Sequence, residues 1–122
     1  MRYKILIADD NNRFVEAFKF QLLDFLGSDV DYIDEALNGQ EAVEKSCKKN
    51  YNYIFMDINM PVMDGIKATK TISSQNPFVK IIAISFHKEF EFIKQIIEAG
   101  ARTYILKEDM NYKVLSSVLD IK

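Results

Sequence analysis

Four short apolar runs punctuate the chain, and each stops at a polar residue with reactive chemistry. Lys4-Ile5-Leu6-Ile7-Ala8 ends in Asp9-Asp10, Tyr53-Ile54-Phe55-Met56 in Asp57, Lys80-Ile81-Ile82-Ala83-Ile84 in Ser85, and Thr103 to Leu106 runs into Lys107. Continuous apolar runs of this length suit strands buried on both faces. Between them the period changes. Phe14, Phe18, Leu22, Phe25 and Leu26 fall at helical spacing between Asn11 and Gly27, and the glycine supplies a stop. Val30 to Leu37 predicts a further strand, and Asn38-Gly39 then opens a helix that carries Ala42, Val43 and Cys47 and ends near Asn50. Further helices are predicted over 66–74, broken by Asn76-Pro77, over 88–99, closed by Gly100, and over 112–119, where Val114, Leu115, Val118 and Leu119 form the apolar stripe.

Five strands alternating with five helices predict an α/β fold: a doubly wound parallel five-stranded sheet in a three-layer sandwich with right-handed crossovers. Ligands of such sheets bind in the crevice outside the carboxyl ends of the strands. The pattern sends Asp9, Asp10, Asp57, Ser85 and Lys107 to that edge. Carboxylates about 5 Å apart repel by on the order of 3 kcal/mol per pair at an effective dielectric of about 20. A cation must compensate them, and Mg²⁺ suits one or two carboxylates, a carbonyl oxygen and retained water.

Composition narrows the classes further. With 122 residues, 48% of them hydrophobic, the chain is expected to be one ordinary globular domain over 1–122. A net charge of −2 argues against a nucleic-acid surface of its own. Cys47 is the only cysteine, which excludes an internal disulfide, suits a reducing cytoplasm and predicts a small buried or half-buried helix residue. No stretch has the apolar length of a membrane span, so a cytoplasmic protein without membrane contact is expected.

Four segments carry a family resemblance: Ile5-Leu6-Ile7-Ala8-Asp9-Asp10, Met56 to Gly65, Ala83-Ile84-Ser85 and Gly100 to Lys107. In order and spacing they resemble the receiver domain of bacterial response regulators, over nearly the whole chain. The resemblance implies the flavodoxin-like strand order 2-1-3-4-5 and a two-component phosphorelay, with Asp57 as phosphoacceptor for a sensor histidine kinase. It implies Mg²⁺, with Mn²⁺ as the alternative ion, bound directly by Asp10, Asp57 and the backbone carbonyl of Asn59 and through water by Asp9. Lys107 and Ser85 would contact the phosphoryl group. Ser85 and Tyr104 would then switch the surface of the fourth helix, fifth strand and fifth helix, where a homodimer or another partner would dock. Catalysis would be confined to the domain's own phosphorylation and dephosphorylation.

Two positions depart from the common pattern. Phe86 stands where many receivers have a small residue, and Glu108 where many have proline, so no cis bond is expected after Lys107. Both departures resemble the NarL/FixJ-like branch, in which a receiver precedes a helix-turn-helix domain. The expected role is the input switch of a transcription factor whose output domain is absent from this chain. Two other readings stay open: a small phosphatase using Asp57 on external substrates, and a stand-alone or phosphorylation-independent interaction module. Locally, Ser85 also suits a cap of the following helix, Tyr104 ordinary core packing, Lys107 an ordinary surface lysine and His87 a solvent-facing first-turn residue. Met56, Met60 and Met63 are too soft for Mg²⁺ and read as packing residues. Phe86, Phe90, Phe92 and Ile93 are too many large apolar groups for one buried helix face, and those left exposed would mark a partner surface.

Overall fold

The structure is a computed structural model that describes residues 2–86 and 88–120. Its strands are β1 (Tyr3–Ala8), β2 (Val30–Ala36), β3 (Tyr53–Asp57), β4 (Lys80–Ser85) and β5 (Thr103–Leu106). They form one sheet in the order β2-β1-β3-β4-β5, and every pairing is parallel. The helices are α1 (Asn12–Leu26), α2 (Gly39–Lys48), α3 (Gly65–Gln75), α4 (Phe90–Ala99) and α5 (Tyr112–Val118). The predicted architecture and strand order are both present. Short 3₁₀ turns at Gly27–Asp29 and Lys107–Asp109 were not legible from periodicity.

Strand alternation divides the interior into two layers. Tyr3, Ile5, Ile7, Tyr53, Phe55, Ile82 and Ile84 meet Val15, Phe18 and Leu22 of α1 and Leu115 of α5. On the other face Leu6, Ala8, Ile54, Met56, Ile81 and Ala83 meet Ala42 of α2, Ala68 and Ile72 of α3 and Ile96 of α4. Small residues stand where helices approach closely, and Phe18 fills the first layer, its ring edge-on to Phe55 at 4.8 Å. Burying a side chain of that size contributes about 1.5–3 kcal/mol.

Each helix that opens at the site edge, except α4, has a side-chain cap. Asn11, Asn38, Asp64 and Asn111 accept hydrogen bonds from the N–H groups of Phe14, Glu41, Lys67 and Val114. These caps satisfy otherwise orphaned donors and fix where the chain turns from strand to helix. Helix α4 starts at Phe90, two residues later than periodicity predicts, because Lys88 and Glu89 lie outside it. Gly27 ends α1 at a φ of 57°, as its sequence position predicts. Cys47 departs from expectation: it is exposed, and its thiol donates to Gln75 Oε1 at the end of α3, 3.3 Å away.

Candidate functional site

The strand order reverses between β1 and β3, and the candidate site lies outside their carboxyl ends. Asp9 and Asp10 follow β1 directly, Asp57 closes β3, Ser85 closes β4 and Lys107 follows β5. Asp9, Asp57, Ser85 and Lys107 are all buried, while Asp10 is exposed at the rim. One carboxylate oxygen from each of Asp9, Asp10 and Asp57 lies within 4.8 Å of the other two. Lys107 Nζ stands 2.6 Å from Asp9 Oδ2 and 3.6 Å from Asp57 Oδ1. The other Asp9 oxygen, Oδ1, accepts the Asn11 N–H at 2.9 Å, which ties the acidic pair to the start of α1.

Charge decides the chemistry of this cluster. Burial pushes the Asp57 carboxyl up to about 7, reinforced by the charges of Asp9 and Asp10 and opposed by Lys107 and the Ile58 backbone N–H. One ammonium leaves three carboxylates undercompensated, and the donor set is all oxygen. A small hard divalent cation fits that deficit and that donor set.

The loop after Asp57 is shaped by close backbone contacts. Gly65 N–H donates to the Ile58 carbonyl at 2.8 Å, and a Cβ on Gly65 would stand 2.0 Å from the Asp57 carbonyl oxygen. Gly39 N–H donates to the Met63 carbonyl at 2.9 Å, and a Cβ there would come within 2.4 Å of that oxygen. Between them Val62 adopts a φ of 68°, a left-handed conformation that costs a β-branched residue roughly 1–2 kcal/mol. Met63 N–H closes the turn onto the Pro61 carbonyl at 2.7 Å. Asn59 lies exposed on this loop, next to the acidic cluster in sequence.

Ser85 does not cap α4, since the N-cap position belongs to Glu89. Tyr104 on β5 is 42% exposed, so it is not an ordinary core aromatic in this conformation. Phe86 and Phe90 are strongly exposed, whereas Phe92 and Ile93 are half-buried. His87 lies outside the described residues. No peptide bond among the described residues is cis, that between Lys107 and Glu108 included. Sequence reasoning missed one feature of the site: Lys107 Nζ lies over the ring of Phe14 at 4.6 Å and over that of Phe86 at 5.0 Å. Phe14 was assigned only to the core stripe of α1.

A parallel β2-β1-β3-β4-β5 sheet with acids at its reversal point defines a flavodoxin-like α/β protein with an acidic crevice. Residues 5–118 match the model of the response regulator receiver domain, and the chain belongs to that family. It is 35% identical over 118 residues to the transcriptional regulatory protein LnrK of Bacillus subtilis, covering 97% of this chain and 53% of LnrK. The chain thus spans about half the length of that curated relative. The receiver domain of the response regulator NarL from Mycobacterium tuberculosis superposes with a TM-score of 0.86 at 27% identity, over 98% of this chain and 94% of that one. A CheX-CheY-BeF₃-Mg²⁺ complex from Borrelia burgdorferi gives a TM-score of 0.82 at 30% identity, over 98% of this chain and 88% of that one. No described helix is long and apolar enough to cross a membrane.

Proposed function

We propose that the domain accepts a phosphoryl group on Asp57 from the phosphohistidine of a sensor kinase. The observation that carries this reading is the convergence of Asp9, Asp10 and Asp57 with a buried Lys107 at the sheet's reversal point. A carboxylate oxygen of Asp57 attacks the phosphorus, the P–N bond breaks, and the electron pair leaves with the imidazole. Asp10, Asp57 and the Asn59 carbonyl would hold Mg²⁺ or Mn²⁺ directly and Asp9 through water, and the ion supplies charge neutralisation at the phosphoryl oxygens. Lys107, already 3.6 Å from Asp57, pairs with a phosphoryl oxygen, and Ser85 donates a hydrogen bond to another.

The added charge of about −1.5 to −2 then draws Ser85 inward. Tyr104 follows and reshapes the α4-β5-α5 surface, where a second copy or another partner docks. Similarity to LnrK and to the NarL receiver supports a place as input domain of a transcription factor, with DNA contacted only by a separate output domain. Intact-mass measurement with Mg²⁺ and acetyl phosphate is expected to show one added phosphoryl group. The gain should vanish with chelator and in Asp57→Asn. A wild type that gains nothing even from cognate kinase would overturn the reading in favour of the phosphorylation-independent module. Steady turnover of exogenous phosphoesters would favour the phosphatase.

A further inference from the structure

Phe86 is 59% exposed, so burial does not explain where its ring lies. Its face meets the Lys107 ammonium at 5.0 Å, and the Phe14 ring meets the same ammonium at 4.6 Å. The two rings come from different elements, the first turn of α1 and the segment after β4. Phe14 is firmly seated: it packs on Phe18 at 5.4 Å, and Phe18 stands edge-on to Phe55 in the core. On the other side, Lys88 pairs with Glu108 at 3.1 Å, joining the segment of Phe86 to the residue after Lys107.

We propose that Phe14 and Phe86 are positioning residues that hold the Lys107 ammonium between two aromatic faces at the edge of the phosphoacceptor site. The functional consequence rests on the phosphoacceptor reading of Asp57. A lysine stem is flexible, and Asp9 at 2.6 Å competes with Asp57 at 3.6 Å for its ammonium. Aromatic faces attract the cation electrostatically and displace water from its flanks. The ammonium is then aimed before a phosphoryl oxygen arrives, and needs little reorganisation as charge gathers there. Phe86 and Glu108, the two departures from the common receiver pattern, thereby act together: one ring face holds the lysine and one ion pair holds the segment of that ring.

The test separates a ring face from mere bulk. Phe86→Leu keeps apolar volume and loses the π face, Phe86→Tyr keeps both, and the exposure of the site leaves folding intact. Phosphorylation by acetyl phosphate with Mg²⁺, followed by intact mass, is expected to slow about three-fold in Phe86→Leu and to be rescued in Phe86→Tyr, since an exposed ring face stabilises a cation by about that factor. The Lys107 side-chain proton resonances of the resting protein, assigned by their loss in Lys107→Gln, give a second readout. Ring-current shielding should place them upfield in wild type and Phe86→Tyr, and Phe86→Leu should move them part of the way downfield, since the Phe14 ring at 4.6 Å still shields them. A faster Phe86→Leu would make Phe86 a steric lid and overturn the proposal. Unmoved Lys107 resonances would overturn it too. If wild type takes up no phosphoryl group at all, the phosphoacceptor reading fails and the resonances alone decide whether the rings hold the ammonium.

Discussion

Replacing Asp57 by asparagine is expected to stabilise the metal-free protein. Asp57 is 7% exposed, its carboxyl lies beside those of Asp9 and Asp10, and its pKa rises from 3.8 to about 7 on folding. A shift of that size sets a ceiling of about 4 kcal/mol on the cost of ionising Asp57 in the folded state. Because the folded value is the raised one, the associated stability is fully present below about pH 4 and is lost as pH rises through about 7. Asparagine keeps the shape and removes the charge, while Lys107 retains Asp9 at 2.6 Å. Urea unfolding in chelator should therefore show Asp57→Asn more stable than wild type by about 2 kcal/mol near pH 7.5, with the gap closing toward about pH 4.5. Millimolar Mg²⁺ should raise wild type more than the variant. A variant of equal or lower stability at the higher pH, or a gap independent of pH, would refute the charge argument.

Two further substitutions probe the same framework. Lys107→Ala strips the ammonium from a fully buried Asp9 side chain, so urea unfolding in chelator should show a loss of about 3 kcal/mol, partly recovered in the double variant with Asp9→Asn. Gly65→Ala would drive a Cβ to 2.0 Å from the Asp57 carbonyl oxygen, and the displaced loop should cost about 2 kcal/mol or more by the same measurement. The fold should nevertheless survive, and far-UV circular dichroism checks that.

The strands and the site edge were legible because a strand buried on both faces leaves little ambiguity in sequence. Asp9, Asp10, Asp57, Ser85 and Lys107 all come at or just after the end of such a run, and the sheet places all of them at one edge. Strand order was not legible from period alone. It came from resemblance, since periodicity fixes which residues alternate and not which strands pair. The start of α4 was misplaced because Lys88 and Glu89 favour helix as readily as loop, and only tertiary packing chooses between them. Cys47 is exposed although it follows the half-buried Val43 by one helical turn, and the group it meets across the gap is the polar Gln75 of α3, a neighbour that helix period cannot announce. The Phe14 and Phe86 contact with Lys107 joins residues far apart in sequence, so no local pattern announced it.

The two sides of the crevice differ mechanically. Beside β3, the segment from Ile58 to Gly65 is stitched at both ends by main-chain bonds from Gly39 and Gly65, and neither glycine has room for a methyl group. That wall is stiff, and bending it means breaking backbone pairing. Beside β4, Phe86 and Lys88 reach the β5 side through a ring resting on an ammonium and a surface ion pair, each contact worth less than a buried main-chain bond left unmade. A phosphoryl group accepted at Asp57 would meet a wall held by main-chain bonds on one side and, at Phe86 and Lys88, side-chain contacts on the other. Any displacement that followed should run toward β4 and β5, and a substitution that strengthens the Phe86 or Lys88 contact should blunt it without touching the acids.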